Sequence, residues 1–311
     1  NYWKDTLRNW ENQGYPKDAD PQEYFDLHLV KIGTINMVAD MNYRKVLEET
    51  DEWEVVRDGN GAILKCWKNK MGTPEHIGFE IDTPDKWEEK KKLLKPSLER
   101  IMDIPKVKNL GWVREYNKYH RERDKFTVVT FPEPFECATF MLGHQTLLEN
   151  MALEPEWIED VLRTYADLAV DNLDLFLKQD ILVDGIWVYS DIAYSKGYPV
   201  ILHSCGKVND AVGMFIEEGV DCLQAMEAKA GVDVRDLKKM YGGKISFMGN
   251  IDVTVMATND KIKIEDEVRS KVLAAKENGG YIYHSDHSIP PQVTLETYCY
   301  VLELVDKYGR Y

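Results

Sequence analysis

A histidine and a cysteine, His203 and Cys205, are the residues of this chain whose types and spacing best suit chemistry. The apolar residues 200–202 before them are typical of a short, buried strand in a parallel sheet, and Gly206 ends that strand. Side chains two positions apart on an extended backbone point to the same face, so we expect the imidazole and the thiol within about 4 Å of each other. Both groups are favoured zinc ligands, whereas the alternative is a buried histidine beside a cysteine that only fills space.

Polar side chains follow the predicted strands in the second half of the chain. We predict strands over 184–190, 199–205, 220–226, 244–248 and 281–284, separated by helices over 208–218, 234–241 and 264–278 and followed by a helix over 295–308. Alternation at this spacing predicts right-handed connections and a parallel sheet. The strand ends carry ionisable, amide or thiol groups, which are Asp191, His203, Cys205, Glu227, Asn250, Asp252, Asp286 and His287. This pattern is typical of the mouth of a barrel, where such groups converge.

The first half of the chain is less regular. We predict helices over 1–13, 84–102 and 155–178, a strand over 126–130, and a hairpin formed by residues 53–56 and 62–67. Because no linker, repeat or low-complexity segment interrupts the chain, residues 1–311 are predicted to form a single barrel domain with an N-terminal helical segment and an inserted hairpin.

One junction conflicts with a parallel sheet. Only residues 191–198 separate the strands predicted at 184–190 and 199–205, whereas a parallel crossover needs about a dozen residues or more. We therefore expect a chain break between Tyr194 and Ser195, with roughly 20–40 residues absent there. The chain also begins inside a predicted helix, so further residues are expected before Asn1.

The composition limits the classes of partner. The 311 residues include 39 Lys and Arg against 54 Asp and Glu, a formal net charge of −15. This charge argues against nucleic acid, an anionic membrane or a highly anionic substrate as a partner. The sequence has no apolar run of membrane-spanning length, and its five widely spread cysteines favour a reducing cytoplasm.

Several motifs together bring a known family into view. They include Leu202-His-Ser-Cys-Gly206, Phe215-Ile-Glu-Glu-Gly-Val-Asp221, Phe247-Met-Gly-Asn-Ile-Asp252 and the run from Gly280 to Pro291. This set resembles the uroporphyrinogen decarboxylase superfamily, and within it the methyltransferase-type branch. The resemblance implies a (β/α)8 TIM barrel, in agreement with the strand pattern.

The resemblance also implies a metal site and a partner. In the zinc methyltransferases of this superfamily, which work with corrinoid proteins, a His-x-Cys pair supplies two metal ligands, and His203 and Cys205 match it. The third ligand, usually a cysteine, comes from the last strand end, where this chain has no cysteine; Asp286 or His287 would replace it. The zinc would act as a Lewis acid while a methyl group passes between a small substrate and the cobalt of the corrinoid protein.

The remaining site residues have assigned roles. Asp191, Glu227 and His287 are candidate catalytic groups, and the candidate substrate-binding residues are Tyr189, Asn250, Asp252 and Tyr283. Glu227 alternatively serves as a paired carboxylate, and Asp252 as the cap of the following turn. The aromatic residues near the strand ends suit an aryl methyl ether as methyl donor; they are Trp187, Tyr189, Tyr194, Tyr281 and Tyr283.

The sequence is also compatible with other functions. The superfamily's decarboxylase uses no metal and binds substrate carboxylates through N-terminal arginines, a motif absent from this sequence. A further alternative is a non-catalytic subunit that binds or docks a corrinoid protein, and pairing of two copies of the chain into a homodimer is also expected.

Overall fold

Helices and strands alternate along most of the chain in the computed structural model, which describes residues 2–69, 72–102, 110–188 and 198–310. The strands are β1 Leu29–Ile35, β2 Lys45–Glu49, β3 Trp53–Arg57, β4 Ala62–Trp67, β5 Glu75–Phe79, β6 Ile101–Met102, β7 Phe126–Phe131, β8 Gly185–Val188, β9 Val200–Ser204, β10 Cys222–Ala225, β11 Ser246–Gly249 and β12 Tyr281–Ile282. The helices are α1 Lys4–Glu11, α2 Pro21–Tyr24, α3 Pro84–Lys91, α4 Leu110–Arg121, α5 Pro134–Leu153, α6 Pro155–Leu177, α7 Val212–Glu217, α8 Val234–Tyr241, α9 Val253–Met256, α10 Lys261–Ala275 and α11 Leu295–Gly309.

The chain divides into two compact units, and the first consists of Asn1–Leu27 and Pro199–Tyr311. Its strands β9, β10, β11 and β12 pair in that order, all in parallel. All four residues of β10 are buried, as expected for a parallel strand covered on both faces. Side-chain caps begin the helices that connect and follow these strands: Asp233 for α8, Asp260 for α10 and Thr294 for α11.

Helix α1 belongs to this same unit because its apolar residues pack against the C-terminal segment. Trp10 is fully buried, and its Nε1 donates a hydrogen bond to the carbonyl of Val293 at 2.8 Å. The hydroxyl of Thr6 donates in the same way to the carbonyl of Ile289 at 2.7 Å. Burying the large indole ring with its polar atom satisfied stabilises the attachment of the N-terminal helix.

The second unit is His28–Tyr198, and its described residues form strands in two sheets. Strands β8, β7 and β1 pair in parallel, and β6 pairs antiparallel with β1. Strands β2, β3, β4 and β5 form an antiparallel sheet whose centre, β3 with β4, is the predicted hairpin. Within this unit α5 is interrupted at Gly143, where φ is 75° and a Cβ would lie 2.3 Å from the Phe79 ring, so only glycine fits.

The sequence predictions of fold class and element type are largely confirmed. The α/β alternation and the parallel pairing are present in each unit, while closure into a (β/α)8 barrel and a single domain stay predictions. The helix predicted over 84–102 was too long, since α3 ends at Lys91; Pro96 disfavours helical backbone at the residue before it. The elements that were not predicted are strands β1, β2, β5 and β6 and helices α2, α4, α5 and α9. The expected break at Tyr194 lies outside the described residues, as do Asp191 and Tyr189.

Candidate active site

His203 and Cys205 lie side by side at the carboxyl end of β9. The distance from the Cys205 Sγ to the His203 Nε2 is 3.2 Å, which confirms the predicted contact. The Cys205 residue is exposed, whereas His203 is half-buried. An accessible thiol beside an imidazole nitrogen could bind a metal ion or react with a small molecule that reaches this edge of the sheet.

Two further residues, Gln224 and His284, join this pair. Gln224 lies opposite His203 in the register of β10 with β9, and its Oε1 contacts the His203 Nδ1. The Nε2 of the same amide lies 3.2 Å from the Nδ1 of His284, which follows β12. Sequence reasoning missed both residues, although a glutamine within an otherwise apolar, buried strand is itself an informative signal.

Glu227 lies after β10 and contacts the loop that carries Cys205. Its Oε2 accepts a hydrogen bond from the backbone N–H of Gly206 at 3.1 Å, and its Oε1 lies 3.7 Å from the Lys229 Nζ. Its side chain is only 12% exposed. This contact fixes the turn immediately after Cys205, and the catalytic role assigned to Glu227 stays a prediction.

Asp286 connects two neighbouring loops. Its Oδ2 accepts a hydrogen bond from the backbone N–H of Ala228 at 3.1 Å, and its Oδ1 accepts one from Val253 at 3.0 Å. Burial raises the pKa of Asp286, and these two backbone hydrogen bonds act against that rise. Both carboxylate oxygens of Asp286 therefore hold loop backbone in this structure.

Asn250 is fully buried and supports the same loops. Its Nδ2 donates to the carbonyls of Met226 at 2.8 Å and Val232 at 2.7 Å, and its Oδ1 accepts from the backbone N–H of Val234 at 3.3 Å. The carbonyl of Asn250 accepts a hydrogen bond from the buried Lys271 Nζ at 2.8 Å. These contacts give Asn250 a structural role after β11, and substrate binding by it stays a prediction.

Asp252 is the cap of α9, which confirms the alternative stated for it from the sequence. Its Oδ1 accepts hydrogen bonds from the backbone N–H and the hydroxyl of Thr254, both at 2.7 Å. Its own backbone N–H donates to the Oε1 of Glu267 at 2.9 Å. A role in substrate binding stays a prediction for Asp252.

Tyr283 and His287 lie near the end of β12. Their observed contacts are with residues other than His203, Cys205 and Gln224. Tyr283 packs against the hydrophobic cluster formed by α1, α10 and α11, and burial raises its pKa well above the ordinary value. Its neighbour His284 contacts Gln224 instead, as expected for side chains that alternate along extended backbone. The carbonyl of His287 accepts a hydrogen bond from the Ser285 hydroxyl at 2.6 Å.

The His203–Cys205 pair fits a zinc ion in part. Zinc–nitrogen and zinc–sulfur bonds of about 2.0 and 2.3 Å with tetrahedral angles separate two such ligands by roughly 3.5 Å, close to the observed 3.2 Å. A carbonyl-type partner on the other imidazole nitrogen, here the Gln224 amide, is typical of metal-binding histidines. Within the described ranges no three His, Cys, Asp or Glu side chains are grouped so as to hold a metal. The expectation that Asp286 or His287 supplies the third ligand is therefore wrong for this structure.

The second unit contains a half-buried lysine beside an aromatic ring. The Lys31 Nζ on β1 lies 4.5 Å from the ring centroid of Trp187 on β8, and burial lowers the pKa of Lys31 to about 8. Trp187 is one of the aromatic residues proposed to surround an aryl substrate. Asp191, Tyr189 and Tyr194 lie outside the described residues, so their roles stay predictions.

Comparisons with known proteins agree with the motif resemblance. Residues 188–308 match the family model described as uroporphyrinogen decarboxylase. This range contains β9 to β12 and the residues His203, Cys205, Gln224 and His284. A uroporphyrinogen decarboxylase from Idiomarina loihiensis is 28% identical over 203 residues, which are 57% of this chain and 56% of that protein. The chain thus matches only a little more than half the length of this curated relative. The resemblance to the superfamily is confirmed.

A solved structure shares the fold along nearly the whole chain. The methyltransferase from Methanosarcina mazei superposes with a TM-score of 0.63 at 16% sequence identity, covering 98% of this chain and 91% of that one. At this identity the likeness supports the α/β fold alone. In the part of the chain that the structure describes, no helix combines the length and apolar character needed to cross a membrane.

Proposed function

We propose that this chain, whose residues 188–308 match the uroporphyrinogen decarboxylase family, is a methyltransferase of that superfamily. In this proposal it moves a methyl group between a small substrate, with an aryl methyl ether as the candidate donor, and a corrinoid carried on a partner protein. Zinc bound by His203 and Cys205 assists the transfer. The observation that carries the proposal is the 3.2 Å contact between the His203 Nε2 and the Cys205 Sγ at a strand end.

The chemistry assigned to the pair follows from its ligand types. A zinc ion held there would supply a Lewis acid that polarises an ether oxygen or stabilises a thiolate acceptor. His203 contributes a neutral nitrogen and Cys205 a thiolate sulfur, and the exposure of Cys205 leaves the site accessible to a substrate. Glu227 supports the site by holding the amide of Gly206, which follows Cys205 directly.

A tetrapyrrole decarboxylase is the second candidate. It is favoured by the 28% identity to a uroporphyrinogen decarboxylase and by the family-model match. It gives Cys205 no role, and a net charge of −15 is poorly suited to a substrate with several carboxylates. A non-catalytic docking subunit for a corrinoid protein is the remaining alternative.

A metal assay on the purified protein tests the proposal directly. The wild type is expected to bind zinc, and Cys205→Ser and His203→Ala are expected to lose most of it, because each removes a ligand. Cys66→Ser is the matched control, since Cys66 is a partly buried thiol on β4 of the other unit and should leave zinc unchanged. Equal zinc content in Cys205→Ser and in the control would contradict the assigned site.

Turnover assays separate the candidate functions. With a corrinoid protein and an aryl methyl ether, the wild type should transfer methyl groups and Cys205→Ser should not. Full methyl transfer by zinc-free wild-type protein would overturn the mechanism. Decarboxylation of uroporphyrinogen that survives Cys205→Ser would establish the second candidate, and binding of a corrinoid protein without turnover of either substrate would establish the docking role.

A further inference from the structure

We infer that strand β2 is an interaction edge through which two copies of this chain pair in antiparallel orientation, so that their antiparallel sheets of β2 to β5 join into one. The inference concerns the second unit and is independent of the proposed function. It depends on the position of β2 in its sheet, on the exposure of its apolar residues, and on a charge pattern that complements itself when the strand is reversed.

Strand β2 lies at the edge of the antiparallel sheet, next to β3. Its other side has no partner strand in the described part of the chain, so the backbone groups on that side can pair with a further strand. Every residue of Lys45–Glu49 is exposed, and the apolar Val46 and Leu47 are 42% and 46% exposed. Exposed strand backbone beside exposed apolar side chains is the arrangement used in β-strand addition.

The two ends of this edge carry opposite charges. Arg44 and Lys45 precede the apolar pair, and Glu48 and Glu49 follow it. In an antiparallel pairing of two copies centred on the apolar pair, the Lys45 of each copy lies opposite the Glu48 of the other. Arg44 lies opposite Glu49 in the same way. Because opposite charges directly across an antiparallel pair stabilise it, the strand is complementary to a reversed copy of itself.

A β-bulge makes this pairing geometrically consistent. Directly opposite residues of an antiparallel pair have side chains on the same face, whereas residues three apart on a regular strand, such as Lys45 and Glu48, have theirs on opposite faces. In β2 the register shifts between Val46 and Glu48, so that Lys45 pairs with Arg57 and Glu48 with Val55. Arg57 and Val55 are two apart on β3, which is regular along β4. Lys45 and Glu48 therefore share one face, as a symmetric pairing requires.

The inner charges of the edge are available to a second copy. Neither Lys45 nor Glu48 forms an ion pair with any residue that the structure describes. The outer charges have partners within the chain, in ion pairs of 2.5 and 2.7 Å: Arg44 with Glu54, and Glu49 with Lys68. Exposed ion pairs of that kind contribute little stability, so they oppose the approach of a second copy only weakly. The pair formed by Lys45 and Glu48 is thus the contact that dimerisation supplies.

The charge balance of the edge favours a second copy over a different partner. The edge is neutral, because its two basic residues balance its two acidic ones, although the whole chain has a formal net charge of −15. A partner segment of a single sign would match one end of β2 and be repelled by the other. The contact is small beside stable interfaces of roughly 1,200–2,000 Å². We therefore expect a dissociation constant between about 1 μM and 1 mM.

Sedimentation velocity of the full chain, over about 1 μM to 1 mM, measures this dimer directly. The wild type should change from monomer to dimer across the range. Lys45→Glu places two carboxylates opposite each other, and Glu48→Lys places two ammonium groups there. Each variant alone should therefore dimerise about 10–100-fold more weakly than the wild type. Circular dichroism should match the wild type in both variants, because both side chains are exposed.

Mixing the two variants tests the pairing itself. In an equimolar mixture, opposite charges meet again at both positions, so a heterodimer should form with about the wild-type affinity. Lys45→Glu and Glu48→Lys combined in one chain should restore the homodimer for the same reason. Lys118→Glu on α4 is the matched control: its side chain is 74% exposed, it lies in the same unit, and it makes the same change of charge. It should leave dimerisation unchanged.

The outcomes are decisive in both directions. Weaker dimerisation of each single variant, with recovery on mixing, would establish β2 as the edge that pairs. A wild type that stays monomeric over the whole concentration range would overturn the inference. A dimer that Lys45→Glu and Glu48→Lys leave unchanged would also overturn it, because the interface would then lie elsewhere, and so would weakened variants that form no heterodimer when mixed.

Discussion

Lys271 and Glu267 form a buried ion pair on α10 that supports the loop after β11, and its removal is the most quantitative prediction from this structure. The Lys271 Nζ lies 2.7 Å from the Glu267 Oε1 and 2.8 Å from the carbonyl of Asn250. The same Glu267 oxygen accepts from the backbone N–H of Asp252 at 2.9 Å. The side chain of Lys271 is 5% exposed and that of Glu267 is 16% exposed, so solvent screens their attraction weakly.

The expected magnitude follows from these contacts. Lys271→Met keeps an unbranched side chain of similar length but removes two hydrogen bonds from a charged donor, each contributing about 1.5–3 kcal/mol. It also leaves the Glu267 carboxylate buried without its counter-charge. Breaking one partner of a buried pair costs about 3–5 kcal/mol, and this is the predicted loss in the free energy of unfolding.

The assay is urea unfolding followed by circular dichroism. A loss of this size lowers the midpoint by about 1–2 M urea if the slope is unchanged. Lys261→Met is the matched control, because Lys261 is on the same helix and pairs with Glu296 at the same 2.7 Å, but those side chains are 57% and 77% exposed. The control should lose much less stability than Lys271→Met, because solvent screens an exposed ion pair and holding two long side chains in place costs entropy.

A second variant tests whether the loss of stability comes from the charges of Lys271 and Glu267 or from their packing. Glu267→Gln retains an acceptor for the Asp252 amide, and combined with Lys271→Met it removes both charges. The double variant should lose less than the sum of the single losses, by about 1–3 kcal/mol. If Lys271→Met destabilised the protein no more than Lys261→Met, the argument from burial would be refuted.

Two further predictions concern the carboxyl group of Asp286 and the relative reactivity of the cysteine thiols. Because burial raises the pKa of Asp286 in the folded state, its contribution to stability is full below the ordinary pKa of about 4 and is lost as pH rises through the raised value. Urea unfolding at several pH values measures the free energy of unfolding of the wild type minus that of Asp286→Asn. This difference should fall as pH rises from about 4, and a constant or rising difference would contradict the prediction. In the native protein at about pH 8, iodoacetamide should modify the exposed Cys205 well before Cys137 and Cys222, since both are buried with raised pKa values, that of Cys222 to about 12. Mass spectrometry measures the rates, with urea-unfolded protein as the control in which all five cysteines react, and equal native rates for Cys205 and Cys222 would be inconsistent with the structure.

Local periodicity made much of the fold and the central pair predictable. The side-chain period of a strand places residues two apart on one face, so the contact of His203 with Cys205 could be stated before any tertiary information. The same reasoning located β7 and the strands β9 to β12 with small errors in their ends. Helix α8 was bounded correctly because Val234 to Tyr241 is periodic and followed by two glycines.

The hydrogen-bond partners of the polar residues at the strand ends could not be predicted from the sequence. Glu227, Asn250 and Asp286 were identified as polar groups that follow strands, which is where they lie. Their observed partners are backbone groups of neighbouring loops: Gly206 for Glu227, and Ala228 and Val253 for Asp286. A sequence gives the type of a side chain but not the buried amide that it satisfies, because that amide belongs to a distant segment.

The sequence by itself determined the α/β alternation, the parallel character of the strands and the adjacency of one imidazole and one thiol, because each depends on residues close together along the chain. Tertiary structure alone decided that Gln224 lies opposite His203 and that His284, rather than Tyr283, reaches the same amide. Those contacts depend on the register between strands, and a shift of one residue would turn every side chain of a strand to the opposite face. Register is set by the packing of whole strands and helices, so the polar group around His203 exists only once β9, β10 and β12 are assembled.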